Sequence, residues 1–474
     1  MRPRYNKIKA APGALVAALV GSSLVGGTAC GFLRVNTPQP PAHSRLCGES
    51  CAAGKTPPRQ RRRPPPHRGP LTLRQALTRA LKHHPDLAVA AQDRRVAGAR
   101  ARSANRYPNP ALHVDVEDWL GSGDVRQVRA LQLTIQVSQD IELGRKLASR
   151  RQLARVTRRA VGWDYARKRA AVLAETTQAF VRVLYEQQRL AIARDQTQLA
   201  DRFLKTVRKR HEAGQFKPGE VELAGIRRDL SRVEQERSRR RLRQARLALV
   251  AHWGATEPRF KKATGRLRRL PVLPSLETLL ARATDHPAAR RLGARVAERR
   301  AQLQVERSLA YPDLSLRAGY RWLEGSRDSA FVLGISIPLP FFSRNTGAIE
   351  AARHRVARAK LTRRVFLVRA NLAIKQTYER LRAALFAAKM LRAKVLPTSR
   401  RSYDKLREGY QLGRVGYLAV LEAQRTCFAV QQRYLESLLQ LHTAAITLQR
   451  LAGALDGSAR TPNETKRPPG PARR

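Results

Sequence analysis

Residues 309–340 read LAYPDLSLRAGYRWLEGSRDSAFVLGISIPLP, and the architecture turns on the alternation inside them. Leu314, Leu316, Ala318, Tyr320 and Trp322 alternate with Ser315, Arg317, Gly319 and Arg321. After a short break, Phe331, Leu333, Ile335 and Ile337 alternate with Val332, Gly334, Ser336 and Pro338. Successive side chains of a strand point to opposite faces, so a period of two puts one face on apolar material and the other in water. A second hairpin of this kind lies upstream. Leu112, Val114 and Val116 alternate there with His113, Asp115 and Glu117; Leu131, Leu133, Ile135 and Val137 alternate with Gln132, Thr134, Gln136 and Ser138. Each segment is about 8–10 residues, close to the roughly 9–11 that a tilted strand needs to cross a bilayer. Trp119, Tyr320 and Trp322 lie near strand ends, where an interfacial aromatic girdle would sit. A strand half-buried on a soluble core has the same local pattern. The context favours the membrane, because both hairpins are flanked by long helical stretches and follow an export signal.

The stretches around the hairpins are an internal repeat. His84-Pro85 recurs as His286-Pro287, Tyr107-Pro108 as Tyr311-Pro312, and Gly214 as Gly413, at offsets of 202, 204 and 199 residues. Each half opens with a helix, predicted over 72–105 and 276–309, that ends at the Tyr-Pro. Two strands, a very long helix, a Gly-containing turn and a return helix follow. The long helices are predicted over 144–212, 220–252, 346–408 and 417–452. The longest would span about 100 Å, a length that suits coiled-coil packing better than a globule. Leu173, Phe180, Val183 and Leu190 follow heptad spacing, as do Leu421, Phe428 and Leu435, and Leu439 with Ile446. Gln187 and His442 interrupt these seams, which a wall with water on one side tolerates. The fold class is therefore mainly α with a small β part.

The amino terminus reads as a processing signal. Arg2, Arg4, Lys7 and Lys9 precede an apolar stretch over 14–25, and Gly27-Thr28-Ala29 precede Cys30. Ordinary cleavage after Ala29 and lipidation of Cys30 both fit; a lipobox usually has Leu where Gly27 stands. The expected organisation is a signal peptide over 1–29 and a Pro/Arg-rich linker over 30–70. A first repeat over 71–252, a connection over 253–275, a second repeat over 276–453 and a disordered tail over 454–474 complete it. Cys47 and Cys51 lie in the linker, and Cys427 reads as a small buried hydrophobe.

Composition narrows the class. Hydrophobic residues make up 42% and charged residues 27%, which excludes collagen, a disulfide scaffold and wholesale disorder. No run of 18 apolar residues follows the amino terminus, so a polytopic helical membrane protein is excluded as well. A net charge of +57 raises a basic coiled-coil protein that binds nucleic acid. That reading needs one basic stripe and no leader. Arg is instead spread over almost every helix, and no nucleic-acid partner is expected. Neither HExxH nor a Gly-rich phosphate loop occurs, and His83, His84, Asp86 and Glu117 fall on separate elements. No catalytic residue, metal ligand or cofactor is expected, and the chain does not read as an enzyme.

If the hairpins enter lipid, they must close, because an open edge leaves backbone groups unpaired in hydrocarbon. Four strands cannot close. Two copies give eight strands with a filled interior, and three give twelve, enough to surround water. A homotrimer follows. Its lumen would be faced by His113, Asp115, Glu117, Gln132, Thr134, Gln136, Ser315, Arg317 and Arg321.

The doubled plan, RYPNP at 106–110 and LAYPDLSLRAGY at 309–320 resemble the TolC family of outer-membrane efflux proteins. GISIPLPFFSRNTGAIEAARHRVARAK at 334–360 and YQLGRVGYLAVLEAQR at 410–425 are similar in particular to its heavy-metal, CzcC-type branch. The resemblance covers about residues 71–453. It implies a trimeric 12-stranded barrel in outer-membrane lipid, continuous with an α-helical barrel in the periplasm. It also implies a periplasmic adaptor (a membrane fusion protein) and an inner-membrane efflux pump, with metal ions or small toxic solutes as cargo. The adaptor would meet the helix turns Gly214-Gln215-Phe216-Lys217-Pro218-Gly219 and Gly413-Arg414-Val415-Gly416. Any helical hairpin needs such a turn, so the residues alone establish reversal. The family's acidic entrance would correspond to Asp404 and Glu408, which Arg400, Arg401, Lys405, Arg407 and Arg414 surround. Basic groups facing the lumen would favour anions; facing outward they are an ordinary solvated surface. The exit duct of a type I protein-secretion system has the same sequence plan.

Overall fold

The computed structural model describes residues 69–119, 122–123, 129–214, 218–271 and 274–453. The leader with Cys30, the linker up to residue 68, the tail from 454, and Gln215, Phe216 and Lys217 lie outside the described residues.

Strand β1 (Leu71–Thr72) runs parallel to β4 (Ala263–Thr264), pairing Leu71 with Ala263. Thr72 then caps α1 (Leu73–His83). Its hydroxyl accepts from the Gln75 N–H at 3.4 Å, and the Gln75 side chain accepts from the Thr72 N–H at 3.0 Å. The single helix expected over 72–105 is in fact two. Helix α2 (Pro85–Ser103) starts afresh after His84, which is extended at φ −62 and ψ 127. Proline disfavours helical backbone in the residue before it and is itself well placed at a first helical position. The second repeat breaks in the same way, into α5 (Leu276–Ala283) and α6 (Pro287–Ser308), again at a His-Pro.

Strands β2 (Ala111–Glu117), β3 (Gln132–Ile141), β5 (Leu314–Leu323) and β6 (Asp328–Ser336) form one antiparallel sheet in the order β2-β3-β5-β6. The two hairpins therefore join through β3 and β5. Helix α3 (Lys146–Glu212) is unbroken for 67 residues, and α4 (Pro218–Ala251) returns along it. The third long helix differs from expectation. A π-helical turn at Leu391–Val395 divides it into α7 (Thr346–Met390) and α8 (Leu396–Gln411). Pro397 follows that turn. It has no N–H for the Ala393 carbonyl, and in a regular helix its ring would press on that oxygen; the widened turn relieves both problems. Helix α9 (Tyr417–Leu451) completes the fold.

The helices pack as a layer rather than a ball. Toward the sheet, α3 lies between α2 and α6, and α6 meets α7; toward the turns, α3 lies between α4 and α9, and α9 meets α7 and α8. Leu173, Phe180, Val183 and Leu190 are all buried, as the heptads of α3 require. His442 fits the core because its Nε2 lies 2.7 Å from the Leu267 carbonyl, so the interruption in that seam is a satisfied polar group. Among the described residues no helix is long and apolar enough to cross a membrane.

Candidate membrane sheet and channel-end turns

The sheet register sorts the side chains. Asp115 pairs with Thr134, and Thr134 with Arg321; His113 pairs with Gln136; Glu117 pairs with Gln132; Ser138 pairs with Arg317, and Asp140 with Ser315. Directly paired residues share a face. All nine residues expected at the lumen thus lie on one face of one sheet. They bond to one another there. Gln136 Nε2 donates to Asp115 Oδ2 at 2.9 Å, and His113 Nε2 lies 2.9 Å from Ser138 Oγ. Arg321 donates to Thr134 Oγ1 at 3.0 Å and Gln132 Oε1 at 3.4 Å, and comes within 4.0 Å of Glu117. This cover leaves Thr134 only 3% exposed. Ser315 and Asp140 are also hydrogen-bonded. The opposite face is apolar and bare: Phe331 is 92%, Leu333 80% and Leu112 68% exposed. Leaving those residues in water would forfeit about 25 cal/mol per Å² of apolar surface. Strands β2 and β6 each present an unpaired edge to match.

The far end of the helices carries two reversals. Gly214 has φ +73 and Gly413 has φ +72, a region costly for other L-residues. The Gly413 N–H bonds to the Tyr410 carbonyl at 3.1 Å, and the Arg414 N–H bonds to the Gly409 carbonyl at 2.8 Å. Val415 folds back over Gly409; a Cβ on Gly409 would stand 2.8 Å from Val415 Cγ2. Pro218 opens α4, Gly219 and Arg414 are exposed, and Gly416 caps α9 at φ −70 and ψ 155.

Just behind the turns lies a cluster that the sequence reading missed. Tyr410, Tyr417, Val420 and Leu421 are buried together, with Phe203, Tyr403 and Leu406 against them. Phe203 stacks on Tyr417 at 4.6 Å and meets Tyr410 at 6.3 Å, tying α3 to α8 and α9. Burial pushes the Tyr417 phenol up to about 12, so it stays protonated. The seven-residue spacing of Tyr403, Tyr410 and Tyr417 was the available signal. Asp404 and Glu408 sit one turn apart on α8, both exposed, as are Arg400, Arg401, Lys405, Arg407 and Arg414. Among the described residues neither acid forms an ion pair, and no group of three or more His, Cys, Asp and Glu could hold a metal ion.

A four-stranded sheet with an apolar outer face, a polar inner face and two open edges, continuous with long helices of which α3 spans about 100 Å, defines one protomer of an oligomeric membrane channel. The family described as "Outer membrane efflux protein" matches residues 76–255 and 278–454. The chain belongs to that family. It is 33% identical over 389 residues to the cobalt-zinc-cadmium resistance protein CzcC of Cupriavidus metallidurans, covering 81% of this chain and 90% of that one. It is 26% identical over 309 residues to the nickel-cobalt-cadmium resistance protein NccC of Alcaligenes xylosoxydans xylosoxydans, covering 63% and 67%. Among solved structures, CusC superposes with a TM-score of 0.69 at 19% identity, covering 80% of this chain and 92% of that one. VceC of Vibrio cholerae gives 0.66 at 18%, covering 80% and 96%. The chain is thus a TolC-type efflux protein of the heavy-metal branch, a family of efflux channels. By that membership it is an outer-membrane protein.

Proposed function

We propose that the trimer is the passive exit duct for divalent metal cations handed on by the pump, and does no chemistry on them. The observation that carries this reading is the charge of the sheet's polar face. In a chain of net charge +57, that face holds Asp115, Glu117, Asp140 and Asp328 against Arg317 and Arg321. Three copies make a net-acidic ring, which favours cations. The metal-resistance names of the similar proteins support the same cargo. His113, Gln132, Thr134, Gln136 and Ser315 supply the polar remainder of the lumen wall.

The helical edges supply the surfaces that copies bury. Val89 and Val96 on α2, Leu223, Ile226, Leu230 and Val233 on α4, and Leu361, Val365, Val368 and Leu372 on α7 are exposed at heptad-like spacing in the single chain. They lie on the two flanks of the layer, as a head-to-tail ring requires. The turns at 214–219 and 413–416 then form the closed end and the adaptor contact, with Asp404 and Glu408 near the entrance. The repeats span 71–252 and 276–453, and Cys30 is the residue open to lipidation.

The test is a strain lacking the gene, complemented and challenged with zinc, cobalt or cadmium. Restored tolerance with lower cell-associated metal is expected. Unchanged metal content, with a secreted protein retained in the cell instead, would transfer the duct to protein secretion.

A further inference from the structure

The chain passes between sheet and helices at residues 104–110, 142–145, 306–313 and 337–345, and the register puts all of these junctions at one end of the sheet. Each leaves apolar side chains bare. Tyr107, Leu143, Leu309, Tyr311 and Phe341 are exposed, and Phe342 is wholly so. The backbone holds them there. The Phe341 N–H bonds to the Leu339 carbonyl at 2.9 Å across Pro340, and the Asn345 amide donates to the Glu306 carbonyl at 2.8 Å, so the Phe341-Phe342 pair stands on a fixed turn. A Cβ on Gly144 would stand 2.6 Å from Tyr311 Cβ, so the glycine clears the seat of that ring. Within two residues of these apolar groups each junction carries an exposed arginine: Arg106, Arg145, Arg307 and Arg344. Among the described residues none of these arginines forms an ion pair, because the acids nearby are engaged elsewhere. Glu142 bonds to Arg150, Asp313 to Lys146 at 2.8 Å, and Glu306 accepts from the Asn345 amide at 3.4 Å.

We propose that these junctions form a belt that binds anionic phospholipid in the leaflet on the helix side, with the aromatic rings at the headgroup–acyl boundary and Arg106, Arg145, Arg307 and Arg344 on the lipid phosphates. The belt continues a surface that already faces lipid. Phe331, Leu333 and Ile335 lie on the apolar face of β6, and Ile337, Leu339 and Phe341 extend that alternate row past its end, all of them exposed. A neighbouring copy cannot cover every junction. Strands β3 and β5 are the inner strands of the sheet, so Leu143 and Tyr311 stand at mid-protomer, away from the edges where copies meet. Lipid reaches them all. Aromatic rings favour the membrane–water interface, where an apolar body and a polar edge are both satisfied. The guanidinium fork matches two phosphate oxygens and keeps its charge at any physiological pH. A choline lipid offers the same phosphate but brings a cation of its own among the arginines, so the net-anionic lipid is favoured. The belt fixes the depth of the sheet in the bilayer, and with it the height at which the helices begin.

The experiment uses the purified trimer reconstituted in phosphatidylcholine vesicles that carry spin-labelled phosphatidylglycerol or spin-labelled phosphatidylcholine. The motionally restricted part of the spectrum gives the relative affinity of the two lipids for the protein surface. Phosphatidylglycerol should be favoured about fivefold, the factor expected for one arginine at each bound phosphate. A variant carrying Arg106→Gln, Arg145→Asn, Arg307→Gln and Arg344→Gln should bind the two lipids equally, with heat-resistant trimer on gels as the assembly control. Asparagine suits the φ of +61 at position 145. An undiminished preference in that variant overturns the proposal, as does equal affinity in the unmodified trimer. Inorganic phosphate added at constant ionic strength should leave the preference intact; its loss would assign the arginines to a free anion and overturn the lipid belt. With the arginines in place, the photo-crosslinker p-benzoylphenylalanine substituted for Phe342 should yield a phospholipid adduct in whole cells. Cross-linked protomers, or no adduct, would place that ring in the subunit interface or in water and overturn the belt.

Discussion

Replacing Gly413 separates backbone shape from side-chain contact at the channel end. A Cβ placed there meets nothing within 4 Å, so the cost of alanine is conformational alone. At φ +72 that cost is about 1–2 kcal/mol, a factor of roughly 5–30 in any equilibrium that needs the turn. Asparagine tolerates the same region at lower cost. Gly409 differs: its backbone is helical, but a Cβ would stand 2.8 Å from Val415 Cγ2. The cost of alanine there is overpacking, about 1–3 kcal/mol, and Val415→Ala should relieve it. Adaptor capture by immobilised trimer, with heat-resistant trimer on gels as the folding control, reads both effects. Gly413→Ala should weaken capture about 5–30-fold, Gly413→Asn much less. Gly409→Ala should be rescued by Val415→Ala. If Gly413→Asn is as harmful as Gly413→Ala while the trimer is intact, bare backbone at the turn, and not its left-handed shape, is what the adaptor reads.

Four further outcomes are expected. On the proposed lumen assignment, Arg321→Ala removes one cation per protomer from the water path and should raise the cation-to-anion permeability ratio in planar bilayers; an unchanged reversal potential places Arg321 outside the water path. Gly319→Val puts a Cβ 2.6 Å from Gln136 Cβ and the Ile135 carbonyl, so β3 and β5 must part, and heat-resistant trimer in the outer membrane should be lost. Gly334→Ala, with 3.8 Å to Arg317 Cβ, should be tolerated in the same assay. Burial lowers the folded-state values of His252, His286 and His442 below the ordinary 6.5. The unfolded chain therefore binds those protons first. Stability contributed by these groups is complete above about pH 6.5 and declines as pH falls below it, so denaturant midpoints should drop between pH 7 and 5, and less steeply in His442→Gln.

Much of the architecture was legible because it rests on local rules. Period-two alternation marked both faces of the four-stranded sheet, and the register then placed Asp115, Thr134 and Arg321 side by side as that alternation required. Heptad spacing marked the buried seam of α3, and the glycines marked both reversals. Even the breaks at His84 and His286 are written in the proline that follows each of them, although single helices were expected over 72–105 and 276–309. Their partners were not legible. Nothing in the order of residues says that β3 pairs with β5, that Phe203 stacks on Tyr417 from 214 positions away, or that His286 rests on Gly453. Periodicity and proline act within a few residues and leave their mark in the chain itself. A contact between distant segments depends on which surfaces still need covering once the helices are laid side by side, and that is settled by packing in three dimensions.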